Sequence, residues 1–288
     1  MAQGDPHEGH LRPEPVSLVP PGLRKAIQLE TRRVSYITGG CSMFDIRIMK
    51  DEQSFDVAAA WEIIGQILKK PDSVIGFSTG QTTKNMHAIV ADIYRQYPFD
   101  TSRVTFFNVD ELTNLPRTYP GCCWTMIEEQ IAGPLGIPEE RFIMPATMSD
   151  DFEAECRKFQ AALEARGGAD LQMLGLGYNG HIGINQPGTP FGSETWVSPM
   201  DPVFEERVRR ETGVGPDYPL GGLTLGIRTI MRTRRIVLIA KGEHKAEMVR
   251  RMLKGPVTED IPASVLQLHP NCTFLLDADA GRYVADMV

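Results

Sequence analysis

Three short stretches of this chain carry groups that can transfer protons or hold an anion. Residues 175–188, GLGYNGHIGINQPG, set His181 among five glycines, which allow a tight backbone turn beside a ligand. The side-chain amides of Asn179, Asn185 and Gln186 stand close enough in sequence to fix the imidazole tautomer, as a catalytic histidine requires. Residues 108–112, NVDEL, put Asp110 and Glu111 side by side at a predicted strand end, where the pleat points one toward a pocket and the other toward solvent. A carboxylate within hydrogen-bond reach can remove a proton beside a carbonyl; a solvated turn is the plainer reading of the pair. Ser78, Thr79, Gly80, Gln81 and Thr82 form a strand-to-helix turn whose free N–H groups and helix dipole suit a phosphate, with an ordinary N-cap as the alternative.

Several other chemistries find no support. Gly175, Gly177 and Gly180 satisfy G-x-G-x-x-G, but that fingerprint needs a helix to open directly after it. The residues that follow, HIGINQPGTP, contain Gly183, Pro187, Gly188 and Pro190, which no ordinary helix tolerates. A Walker A loop, an H-E-x-x-H pair, clustered cysteines and G-x-S-x-G are all missing, so neither a metal site, a P-loop nor an activated nucleophile is expected.

Alternating elements must position these groups. Strands are predicted at 43–50, 73–77, 102–109, 169–177, 234–242 and 272–277. Helices are predicted over 54–69, with Phe55, Ala58, Trp61, Ile64 and Leu68 on the core face, and over 83–95, 124–131, 151–166 and 243–255. Strands this apolar, separated by helices, imply an α/β fold with a mostly parallel sheet covered on both faces. In such sheets ligands bind beyond the carboxyl ends of the strands, and all three loaded stretches follow predicted strands.

The chain has 288 residues, 42% of them apolar, enough for a substantial core. Residues 1–30, rich in proline, read as a flexible tail, and 31–288 as one α/β domain. A net charge of −7 without a concentrated basic tract argues against nucleic acid as partner. Five unpaired-looking cysteines, no apolar run approaching the roughly 18 residues of a membrane span, and no signal-peptide core suggest a soluble cytoplasmic protein.

Taken in order, GFSTGQTT, VTFFNVDELTNLP, LGLGYNGHIGINQPGT and LTLGIRTI with IVLIAKGEHKAEMVRRMLKGPVTEDIPASVLQLHP resemble the four signature regions of the glucosamine-6-phosphate deaminase/isomerase family. The resemblance spans roughly 44–277. It implies a three-layer α/β/α modified Rossmann-like domain, usually a homo-oligomer, that converts an amino-sugar 6-phosphate to a ketose 6-phosphate and ammonia with no cofactor. It implies that Asp110 shuttles a proton between C2 and C1, that His181 opens the sugar ring, and that Lys245, Thr189 and the 78–82 turn hold the phosphate.

The sequence also departs from that pattern. The third region typically reads N-E-P, whereas this chain reads Asn185-Gln186-Pro187, so Gln186 keeps the length and loses the charge. With Asn179 also neutral, His181 lacks a carboxylate partner in this loop, which weakens it as a base. Trp196 stands where an arginine is usual, and Arg207, Arg209 or Arg210 is left to supply the charge. The wording resembles the galactosamine-6-phosphate branch about as much as the glucosamine one. A 6-phosphogluconolactonase-like hydrolase and a sugar-phosphate sensor without turnover are the alternative functions.

Overall fold

The computed structural model describes residues 32–38, 42–80 and 82–285; the tail expected over 1–30 lies outside them. The elements run β1 (Arg32–Thr38), β2 (Ser42–Met49), α1 (Glu52–Lys69), β3 (Val74–Phe77), α2 (Lys84–Gln96), β4 (Thr105–Asn108) and β5 (Asp110–Thr113). There follow α3 (Cys123–Ile127), continued by a wider turn over Glu128–Ala132, then β6 (Phe142–Ile143), α4 (Phe152–Ala165), β7 (Leu171–Gly175) and β8 (Trp196–Ser198). The last are α5 (Pro202–Thr212), β9 (Gly221–Thr224), α6 (Ile227–Met231), β10 (Ile236–Ala240), α7 (Ala246–Lys254) and β11 (Cys272–Asp277).

Eight strands form one sheet in the order β1-β2-β11-β10-β7-β3-β4-β6. Every pair is parallel except β1 with β2, so the mostly parallel three-layer α/β architecture expected from the sequence is present. The central strands are apolar because both their faces are covered. Along β10, Ile236, Leu238 and Ala240 enter one core with α4, α6 and α7, while Val237 and Ile239 enter the other with α1 and α2. Side chains alternate across a strand, so one short apolar run feeds two cores.

Local signals start the helices where the periodicity placed them. The Asp51 carboxylate accepts the Ser54 N–H at 2.7 Å to cap α1, and Asp151 accepts Ala154 N–H at 2.8 Å to cap α4. The buried face of α1 is Phe55, Ala59, Ala60, Ile63, Ile64 and Ile67; Leu68, assigned to that face from its spacing, is 45% exposed. Ile63 and Ile67 lie one position earlier than the stripe through Leu68, which rotates the core face away from it.

The strand expected over 102–109 is shorter, Thr105–Asn108, because the chain changes sheets at its end. β4 stops at Asn108, and β5 joins a separate antiparallel sheet in the order β5-β9-β8. Asn108 Nδ2 spans the corner, donating to the Asp110 carbonyl at 2.7 Å and to Asp110 Oδ1 at 3.0 Å. The small sheet went unforeseen because its strands are three or four residues long and β9 starts Gly221-Gly222, too little for a periodic signal.

Strand β3 leads directly into the 78–83 turn, and its packing leaves no room for a larger residue. A Cβ on Gly76 would lie 2.2 Å from Gln172 Oε1 and 2.2 Å from Phe107 Cζ, so the backbone itself approaches both side chains. Gly76→Ala will therefore cost about 1–3 kcal/mol through overpacking. Urea unfolding measures it, and an unchanged midpoint would show that β3 and β7 can separate freely.

Candidate active site

The three loaded stretches meet at one edge of the main sheet. Residues after β3, β4 and β7 line a cavity of about 740 Å³, at the carboxyl ends of parallel strands, where ligands bind in open α/β sheets. Thr79, Gly80, Asp110, Cys123, His181 and Gln186 all face it.

Asp110 is half-buried, with its Oδ1 anchored by Asn108 Nδ2 at 3.0 Å and by the Cys123 thiol at 3.5 Å. Thr79 Oγ1 in turn donates to Cys123 Sγ at 3.1 Å. Oδ2 of Asp110 has no hydrogen-bond partner among the described residues and is left for a ligand. Burial raises the Asp110 pKa to about 6, although the hydrogen bonds from Cys123 and Asn108 oppose the shift. A carboxylate of that basicity is still mostly ionised at neutral pH and removes a proton more readily than an ordinary aspartate.

Glu111 corrects the expectation that one of the two acids faces solvent. It points away from Asp110, as the pleat demands, but into the interior, where it is fully buried. Its Oε1 accepts the N–H groups of Leu112 at 2.7 Å and Cys123 at 2.9 Å, and its Oε2 accepts that of Trp124 at 2.7 Å. Burial raises it to about 7, against the lowering effect of those three bonds. Glu111 thus holds the start of α3 to β5 and fixes Cys123 beside Asp110.

The histidine loop has no helix after its glycines, so the dinucleotide match is incidental. Gly177 N–H bonds the His181 carbonyl at 2.9 Å, and Gly180 at φ +89° donates to Gly177 O and accepts from Ala263 N–H. His181 Nδ1 lies 2.8 Å from Asn179 Oδ1, which also accepts the His181 backbone N–H at 3.2 Å. Asn179 Nδ2 donates to Gln186 Oε1 at 2.9 Å. Because that amide oxygen can only accept, Nδ1 carries the imidazole proton and Nε2 is left with a lone pair. Burial, with help from the Lys245 charge, lowers the His181 pKa to about 4, so the ring is neutral at pH 7. Lys245, itself half-buried and lowered by burial, stands beside His181 just after β10.

The other sequence candidates divide. Ser78 is buried with its hydroxyl donated to Met173 O at 3.0 Å, and Thr189 is buried with its hydroxyl donated to Gln186 O at 2.7 Å, so both brace loops. Thr82 is half-buried in the turn before α2, and Gln81 lies outside the described residues. Asn185 does not bond His181; it donates to Ile182 O and Leu225 O and accepts from Trp196 Nε1 at 3.0 Å. Trp196, in place of an arginine, therefore pins the loop. Arg209 is bound to Glu205, Gly215 O and Tyr218 O, whereas Arg207 and Arg210 line the cavity. Lys84, Tyr178 and Asp201 also line it and were not singled out from sequence. Lys84 was the legible one, since it directly follows the phosphate-type turn.

A family model for glucosamine-6-phosphate isomerases/6-phosphogluconolactonase matches residues 56–275. The chain belongs to that family. Within it, a glucosamine-6-phosphate deaminase of Geobacillus sp. (strain WCH70) is 39% identical over 228 residues, 79% of this chain and 91% of that protein. A solved monomeric glucosamine-6-phosphate deaminase superposes with a TM-score of 0.77 at 32% identity, covering 83% of this chain and 99% of that chain. A 6-phosphogluconolactonase from Trypanosoma cruzi has a TM-score of 0.68 at 18% identity, covering 87% and 99%, and shares the fold alone.

Two substitutions test how the fold sets Asp110 and His181. A Cβ on Gly177 would fall 2.3 Å from His181 Nδ1, so Gly177→Ala displaces the ring, and turnover falls by roughly a hundredfold with the fold retained. Wild-type turnover in that variant would show that the ring position is not critical. Glu111→Gln sets an amide donor against a backbone N–H in the interior and costs about 1–3 kcal/mol in chemical denaturation; no loss would mean that the three N–H bonds do not anchor α3.

Proposed function

We propose that this protein is an amino-sugar-6-phosphate deaminase/isomerase that converts glucosamine 6-phosphate and water to fructose 6-phosphate and ammonia. One observation carries the reading: a basic, half-free aspartate and a neutral imidazole with an unprotonated Nε2 line one cavity, together with a phosphate-type turn and Lys84. The 39% identity to a glucosamine-6-phosphate deaminase favours the glucosamine epimer over galactosamine 6-phosphate.

The chemistry follows from those groups. His181 Nε2 takes the proton of the anomeric hydroxyl and returns it to the ring oxygen, which opens the ring to the aldehyde. The aldehyde acidifies the C2–H, and Asp110 Oδ2 removes that proton to give an enolamine. Returning it to C1 leaves an imine at C2, which water hydrolyses to the ketone with release of ammonia. The 78–82 turn, Lys84 and Lys245 would grip the distant phosphate, whose binding energy holds the open chain in line for these steps. No step requires a metal or redox cofactor.

The lactonase alternative rests on a relative that shares the fold alone. The homo-oligomer implied by the resemblance is not a requirement of the fold, since a relative at 32% identity is a monomeric glucosamine-6-phosphate deaminase. We place the enzyme in the cytoplasm, because a phosphorylated sugar is too strongly charged to cross a membrane unaided. Among the described residues no helix is long and apolar enough to span one.

Incubation with glucosamine 6-phosphate will release ammonia and fructose 6-phosphate; release from neither amino-sugar phosphate at high enzyme concentration rejects the proposal. Asp110 acts in its ionised form, and its folded pKa is about 6. Activity will therefore be full above pH 7 and fall tenfold per unit below 6, instead of below 4. Asp110→Asn will lower kcat by about 10²- to 10⁴-fold, with product formation followed by enzymatic ammonia assay.

A further inference from the structure

The ring-opening step leaves His181 protonated for a moment, and nothing bonded to it can stabilise that charge. Its Nδ1 contact runs to Asn179 and on to Gln186, two neutral amides. Burial and the neighbouring Lys245 both disfavour the imidazolium. A buried imidazole that acts as a base needs an opposing charge in its surroundings to escape a large penalty.

Asp201 is placed to provide it. It lies at the start of α5, lines the same cavity, and is held at both carboxylate oxygens. Oδ1 accepts Val203 N–H and Phe204 N–H at 3.1 Å each, and Oδ2 accepts the Tyr178 hydroxyl at 2.6 Å. Tyr178 stands edge-on to the His181 ring, centroids 6.2 Å apart and planes at 90°. The tyrosine thus spans from the carboxylate to the imidazole and fixes their separation. Burial opposes the Asp201 charge, but the Tyr178 hydroxyl and the two α5 N–H groups outweigh it and hold the carboxyl below its usual range. The helix N-terminus adds a favourable dipole to the same anion.

The remaining charged groups do not compete for this role. Asp110, Glu206, Lys84, Arg207 and Arg210 line the cavity, but only Lys245 and Asp201 bear on the His181 charge, in opposite senses. Tyr178 keeps its proton, since its bond to Asp201 raises it.

We propose that Asp201, fixed by Tyr178 and the α5 N-terminus, is a positioning residue that supplies through space the negative charge supporting His181 during ring opening. The proposal rests on the deaminase reading for its kinetic arm only. Asp201→Asn is the suited variant, because the asparagine oxygen caps α5 as aspartate does, while its amide nitrogen, in place of Oδ2, donates to the Tyr178 hydroxyl oxygen; the charge is removed and the tyrosine contact is kept with its direction reversed.

Two readouts on the full chain test it. By NMR of the labelled imidazole from pH 6 down to 3, across its folded pKa of about 4, D201N will shift the His181 titration to lower pH, while Gln186→Glu will shift it to higher pH. In steady-state assays with glucosamine 6-phosphate, D201N will lower kcat by about tenfold with KM within about twofold, the pattern of a lost transition-state interaction. D201N combined with Q186E will regain most of that loss, which a merely structural lesion would not. An unmoved imidazole titration in D201N, or a D201N defect that Q186E leaves untouched, overturns the proposal. A wild-type protein that releases no ammonia defeats the deaminase reading instead, and the titration then decides on Asp201 alone.

Discussion

A carboxylate that never meets the ligand governs the geometry of this site. Glu111 is fully buried and must spend its oxygens on protein donors, and the three it finds belong to Leu112, Cys123 and Trp124. Leaving a buried charge unpaired costs far more than ordering the chain around it. The start of α3 is therefore drawn against β5, and the pleat of that strand turns the preceding side chain, Asp110, the other way and into the cavity. Cys123 arrives at the same time on the Asp110 Oδ1 and leaves Oδ2 open. One interior carboxyl thus places Asp110, the thiol on its Oδ1 and its open Oδ2.

The electrostatics set Asp110 and His181 apart. Desolvation works on both, raising the acid to about 6 and lowering the imidazole to about 4. At neutral pH the aspartate is ionised and the histidine neutral, so each offers a lone pair, and neither neutralises the other through an ion pair. Two titratable groups pushed in opposite directions by their surroundings are the usual mark of assigned acid and base roles. Lys84 at the start of α2 and Arg207 and Arg210 on α5 line the cavity, where they suit an anionic tail, and Lys245 stands beside His181 after β10.

Much of this was readable from residue order. The strands of the main sheet are short apolar runs between amphipathic helices, and burial on two faces gives that pattern by itself. The loaded stretches after β3, β4 and β7 were visible because glycine, hydroxyl and carboxylate residues interrupt those runs. The small sheet was not, because its strands are three or four residues long and β5 continues the polar end of β4. Side-chain partners were also hidden. Gln186 read as a lost charge, while the carboxylate nearest in effect, Asp201, lies 15 residues further along and reaches the imidazole through Tyr178. Likewise Arg209 and Arg210 are adjacent in sequence, yet one is consumed by Glu205 and a turn while the other faces the cavity. Helix phase separates them, and the register of α5 depends on its cap.

One fixed base acting at two carbons of the same substrate leaves a stereochemical signature. Turnover of glucosamine 6-phosphate in D2O, with the fructose 6-phosphate product read by NMR, reports from which face C1 receives its new hydrogen. Delivery by Asp110 places deuterium, or the proton carried over from C2, on a single face of C1. Equal labelling of both faces would contradict a single aspartate held over the open chain.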